Sequence, residues 1–167
     1  MVGRTAERGD ELGSRLLCAR LADDLMWLAF AVSRRWPPYA KWRGTAFRSL
    51  DVAAEASGPL AAAAAAPDWR DREGGLAEAC EVLLNVQRAH GLPAPAAAVT
   101  RFWDRPYRTV ADAVSQVLLA DISDPQVAGL PASIGSVEQW VGSVDFLASP
   151  ARRAALRVAY VALAGRH

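Results

Sequence analysis

Metal-binding side chains are scarce in this chain. Among 167 residues there are two histidines, His90 and His167, and two cysteines, Cys18 and Cys80, with no two of the four close together. A protein-only zinc or iron site needs several such ligands at workable spacing, so no metal and no other cofactor is expected. The absence of a Cys-x-x-Cys pair makes two reduced thiols in a cytoplasmic protein the default. No glycine-rich loop stands ahead of a helix to cradle phosphate. Long apolar runs are missing too: Leu25 to Val32, the longest, is too short to span a bilayer. The polar, charged start excludes a secretory signal. Charge of one sign is also lacking, with 19 Lys and Arg against 18 Asp and Glu. That balance gives no broad basic face for nucleic acid or an anionic membrane.

What remains is a chain that is 52% apolar, much of it alanine, with a mean hydropathy of +0.06. At this length it reads as one domain, residues 1–167, large enough to bury a core without staples. Residues 1–9 are polar and expected to be frayed or draped over the surface. Asp10 can cap a helix running to about Arg35, amphipathic at first through Leu12, Leu16, Leu17 and Leu21, then apolar on all sides from Leu25. Such a helix is expected at the centre of the fold. Pro37-Pro38 end it.

Further helices are predicted over Thr45–Ala56, from Pro59 to Pro67, and from Asp68 to His90 with a stutter at Gly74-Gly75 and an inner stripe of Leu76, Cys80, Leu83, Leu84 and Gln87. Others follow Thr109, open at Asp124-Pro125, start at the capping box Ser136-Val137-Glu138-Gln139, and start at Ser149-Pro150 with Leu156, Tyr160 and Leu163 inward. No stretch alternates with period two, so the fold class is all-α: a single-domain helical bundle with the first long helix central and largely buried.

Two stretches concentrate chemistry. Trp36 to Thr45 holds Tyr39, Trp42 and Lys41, the only lysine in the chain; Arg101 to Arg108 holds Trp103, Asp104, Arg105 and Tyr107. Aromatic faces beside lone cations can pack as core or can hold a small molecule. His90, before Gly91, reads as a helix cap or a general base. Both stretches are read as non-helical, and they are expected to meet, joined by the loop 130–135.

These clusters, together with Gly135-Ser136-Val137-Glu138-Gln139, carry a resemblance. Gly3-Arg4-Thr5, Gly9-Asp10-Glu11-Leu12-Gly13-Ser14-Arg15, Tyr39-Ala40-Lys41-Trp42, Gly44-Thr45-Ala46-Phe47, Asp104-Arg105-Pro106 and the Ser143/Asp145 pair also match in order. From Val2 to about Tyr160 the chain resembles the helical C-terminal region of an actinobacterial domain-of-unknown-function family, in which that region follows a nucleotidyltransferase domain. The resemblance implies a bundle that presents substrate to such an active site. Nucleotidyl transfer of that kind needs a Gly-Ser turn and an Asp-x-Asp pair on a strand to hold magnesium. Here Gly13-Ser14 precedes Asp23-Asp24 on a predicted helix, where neighbouring side chains diverge by about 100°. The chain is therefore not expected to transfer a nucleotide by itself. Trp103 also stands where the family has His, and Gly91 where it has Asn, which makes an inherited pocket drier.

Two functions follow as expectations. One is a repurposed, stand-alone domain binding a small, mainly apolar or aromatic molecule, with a cyclisation or rearrangement in specialised metabolism as the reaction if it is an enzyme. Its acid/base or polarising groups would be Lys41, Asp104, Arg105 and Asp145. Tyr39, Trp42, His90, Trp103, Tyr107, Ser136 and Gln139 would line the site. The other is a non-catalytic domain that docks on a separately encoded nucleotidyltransferase or another partner.

Overall fold

The computed structural model describes residues 1–129, 141 and 148–164. Among them run α1 (Val2–Ala6), α2 (Glu11–Val32), α3 (Ala40–Phe47), α4 (Ala53–Ala65), α5 (Trp69–Ala89), β1 (Val99–Arg101), β2 (Arg108–Val110), α6 (Asp112–Ala120), α7 (Pro125–Ala128) and α8 (Pro150–Ala164). The chain is mostly helical, as its periodicity predicts. The departure is the antiparallel hairpin, with Val99 opposite Val110 and Arg101 opposite Arg108. Its three-residue strands are too short for alternation to register in sequence.

Contacts divide the chain into two units, Met1–Leu118 and Leu119–His167. The second starts in the last turn of α6. Asp124 caps α7 by accepting the Gln126 and Val127 N–H groups at 2.8 and 3.4 Å. Ser149 Oγ opens α8 by accepting the Arg152 N–H at 3.4 Å. Leu156 and Tyr160 are half-buried, one turn apart as their spacing predicts. The side chain of Leu163, the loop 130–135 and the helix expected after Ser136 lie outside the described residues.

In the first unit the hub is α5, which packs on α1, α2, α4 and both strands. Asp68 caps it, accepting the Arg70 N–H at 2.7 Å. Its predicted inner stripe is buried at Leu76, Leu83, Leu84 and Gln87. The expected stutter does not occur, and α5 runs unbroken through Gly74-Gly75. Asp10 caps α2 as expected, accepting the Gly13 N–H at 2.7 Å.

α2 packs on α1, α3, α4 and α5, but the largely buried character expected for it is a correction. Its buried face is small: Ser14, Cys18, Ala22 and Ala29, with Phe30 beside it. Leu12 and Leu16 are 70% and 62% exposed, and Leu21 and Leu28 also face outward. Small side chains let helix axes approach closely, as where Cys18 Sγ reaches the Ala63 carbonyl of α4 at 3.5 Å. Residue size therefore decides the inward face here, against bulk hydrophobicity.

Two further boundaries differ. Thr45–Ala56 is not one helix: α3 ends at Phe47, and Phe47, Leu50, Val52 and Ala53 carry the connection through the core. Pro59 lies inside α4 and does not start it. Residues 1–9 also depart from the expected frayed tail, since they form α1 and a turn with Val2 buried. No described helix is long and apolar enough to cross a membrane.

The neighbouring glycines of α5 give a paired test. A Cβ on Gly75 would lie 2.6 Å from the Pro59 carbonyl oxygen and 2.9 Å from Ala63 Cβ, whereas a Cβ on Gly74 would meet nothing within 4 Å. Gly75→Ala should cost about 1–3 kcal/mol by forcing α4 away. Gly74→Ala should add about 0.5–1 kcal/mol through helix propensity. Denaturant unfolding of both variants measures this, and equal effects would contradict the close approach of α4 and α5.

Candidate functional site

The site begins with two neighbouring buried charges on α5. Arg72 is 1% exposed and holds Glu11 of α2 in a bidentate pair, Nη1 to Oε1 at 2.7 Å and Nη2 to Oε2 at 2.8 Å. Nη1 also donates to the Ala66 carbonyl at 3.3 Å. The Arg72 hydrogen bond holds the Glu11 carboxyl below the usual carboxylate range. Glu73 comes next, and each of its oxygens serves a different segment. Oε1 accepts the Gly3 N–H of α1 at 3.1 Å, and Oε2 accepts the Arg108 N–H of β2 at 3.2 Å.

Glu81, two turns further along α5, accepts the Ala98 and Val99 N–H groups at 2.8 and 3.3 Å. The hairpin is thus fastened to α5 by two carboxylates. Gly3 permits α1 to seat against the same wall. A Cβ there would come within 2.5 Å of the Trp69 ring and 2.9 Å of Tyr107. The rings of Trp69 and Tyr107 lie 5.8 Å apart at 58°, a favourable tilted contact.

Between α1 with its following turn and the hairpin tip lies a cleft of about 400 Å³, lined by Arg4, Glu7, Arg8, Phe102, Arg105 and Tyr107. The Tyr107 hydroxyl donates to Glu7 across it. That bond, with desolvation and the Glu7 charge, raises the pKa of the phenol above its ordinary value. The hairpin loop is closed by the Phe102 N–H donating to the Tyr107 carbonyl at 2.9 Å. Trp103, at the tip, takes a left-handed φ of 57° and is 84% exposed. Asp104 lies 3.9 Å from Arg105, the outer limit of an ion pair.

The other predicted cluster is built with different neighbours. Lys41 and Trp42 lie in α3, so that stretch is helical from Ala40 where a loop was expected. Lys41 Nζ sits 5.2 Å from the Trp42 ring centre, Trp42 Nε1 donates to the Tyr39 hydroxyl at 2.9 Å, and Arg43 pairs with Asp23 of α2. None of these residues lines the cleft. Asp23 and Asp24 are consecutive in α2, the divergent placement expected of them. His90 is the C-cap of α5, with its N–H bonded to the Val86 carbonyl at 3.0 Å and Gly91 left-handed at φ 73°. It lines a separate cavity of about 210 Å³ with Ser33, Arg35, Ser49 and Asp51. Ser136, Gln139 and Asp145 lie outside the described residues.

Of the predicted site residues, the cleft therefore gathers Arg105 and Tyr107. Arg4, Glu7, Arg8 and Phe102 join them without having been singled out. The signal for α1 was present as Val2 and Ala6 at helical spacing, which places one apolar side of a polar segment against a core. Among the described residues no three His, Cys, Asp or Glu gather as metal ligands. Residues 1–43 match a family described as a domain of unknown function (DUF4037). No curated protein and no solved structure matches the chain. The matched segment contributes Arg4, Glu7 and Arg8 to the cleft.

Glu73→Ala removes both anchors at once and should destabilise the protein by about 2–4 kcal/mol, since bonds to a buried carboxylate are each strong. Glu73→Gln retains one acceptor and should cost less. Thermal unfolding orders the variants, and equal stability of Glu73→Ala and the parent would show that Glu73 does not hold the cleft together.

The thiols offer a second check. Burial, with the Glu81 charge, pushes Cys80 up to about 11, and burial raises Cys18 as well. At pH 8 both should be thiols that resist iodoacetamide in the folded protein and react once it is denatured. Rapid native alkylation, read by mass spectrometry, would contradict this.

Proposed function

We propose that this protein is a small-molecule binding domain whose ligand carries an aromatic or apolar ring and enters the cleft between α1 and the hairpin. The observation that carries this reading is the convergence of Phe102 and Tyr107 with residues about 100 positions earlier in the chain, through backbone anchors on one buried carboxylate, Glu73. Concave sites with ring walls and a few fixed polar groups are where small ligands bind. In this reading the domain descends from a helical region that accompanied a nucleotidyltransferase and has been turned to a ligand of its own in the cytoplasm. A cyclisation or rearrangement in specialised metabolism is the chemistry that suits it, with the ligand shaped against the rings and Glu7 and Tyr107 placed to move a proton.

A second reading, docking on a separately encoded nucleotidyltransferase, is favoured by one observation. The exposed Leu12 and Leu16, with Trp36 and Trp42, all fall within the segment that matches the family.

Ligand-observed NMR with a set of neutral ring-bearing fragments tests the first reading. Hits should be lost in Phe102→Ser and kept in Trp42→Ala, because Phe102 lines the cleft and Trp42 does not. Loss in Trp42→Ala with retention in Phe102→Ser would move the site to α3 and sink the proposal.

A further inference from the structure

The charge on the cleft walls says more about the ligand than the rings do. Three guanidiniums, Arg4, Arg8 and Arg105, face one carboxylate, Glu7, so the lining carries two unbalanced positive charges. Arg4 and Arg8 make no ion pair among the described residues, and the only carboxylate paired with Arg105 is Asp104 at 3.9 Å, whose own side chain is 94% exposed. Elsewhere in the first unit the buried Arg72 is matched by Glu11 and the half-buried Arg43 by Asp23.

Resting on the ring-binding reading above, we propose that the cleft takes a dianionic phosphate monoester joined to a planar ring, with the phosphate on Arg4, Arg8 and Arg105 and the ring against Phe102 and Tyr107. Guanidinium is the cation suited to this, because its planar fork donates two parallel bonds to the oxygens of a phosphate. All three cations are arginine. A phosphate monoester loses its second proton near pH 6, so at neutral pH its two charges equal the excess on the walls. The cavity, at about 400 Å³, falls in the ordinary range for small-ligand sites. Glu7 has a place in this arrangement. Held by the Tyr107 hydroxyl, it keeps the lining from a third excess charge and so sets the preference toward two.

The test uses the full chain at pH 7.5 and low salt, with phenyl phosphate, inorganic phosphate and benzyl alcohol as probes, read by calorimetry and by amide shifts. Phenyl phosphate should bind at least about tenfold more tightly than either of the others and shift residues around Arg4, Arg8, Phe102 and Tyr107. Arg4→Met and Arg8→Met should each weaken phenyl phosphate about tenfold while leaving benzyl alcohol and the unfolding midpoint unchanged, since both side chains are exposed. Glu7→Gln, which keeps an acceptor for Tyr107 and removes the repelling charge, should tighten phenyl phosphate several-fold.

Benzyl alcohol binding as tightly as phenyl phosphate, with the same residues shifted, would overturn the phosphate and leave the ring site standing. Inorganic phosphate equalling phenyl phosphate would overturn the joined ring. If none of the probes moves a cleft residue, both this inference and the binding reading fall.

Discussion

A guanidinium cannot be taken out of water without partners, and Arg72 is almost wholly out of water. Its satisfaction dictates where α2 begins, because Glu11, the first residue of that helix, must meet it with both oxygens. Removing Glu11 would leave the buried Arg72 guanidinium without its carboxylate. Glu73 imposes the same kind of condition in the opposite sense. Its carboxylate is met by two backbone N–H groups, one from α1 and one from β2. Two adjacent residues in the first turns of α5 thus locate the starts of α1 and α2 and the returning strand of the hairpin.

Those electrostatic ties need close-packed helices to act across, and small residues supply them. Ser14, Cys18 and Ala22 on α2, Ala63 on α4 and Gly75 and Ala79 on α5 are buried. At Gly75 there is no room for a methyl group. With the inner face of α2 small, its Leu12, Leu16, Leu21 and Leu28 are left outside. These small contact faces pack beside larger buried side chains, among them Phe30, Phe47, Leu60, Trp69 and Leu83.

The sequence discloses helices well because caps and periodicity are local. Asp10, Asp68 and Asp124 each cap the helix predicted for it, and the stripe of α5 points inward where its spacing puts it. Burial of α2 was not legible in the same way, since a stretch apolar on all sides does not say which side its neighbours occupy. The hairpin was hidden for a different reason. It is held by Glu73 and Glu81 of α5, through bonds that join residues 35 and 17 apart in the chain, which no local pattern discloses. The cleft inherits both difficulties. Arg105 and Tyr107 stood out as a charged aromatic cluster, but their partners Arg4, Glu7 and Arg8 look like an ordinary polar terminus until Glu73 is seen to hold Gly3.

That anchoring also bears on what the cleft can do at its exposed position. Surface charges gain little from pairing when long side chains must be ordered to meet. Here the backbones on both sides are fixed before any ligand arrives. Gly3, which immediately precedes Arg4, and Arg108, which immediately follows Tyr107, are bound to the same carboxylate. Tyr107 is further held by the Trp69 ring and by Glu7. Ordering cost for the proposed ligand therefore falls on side chains, the arginines and the Phe102 ring, rather than on the backbone. A shallow, solvent-facing cleft would be a poor binding site if its walls were free to move. Walls tied to one buried residue meet the condition that the proposed binding role requires.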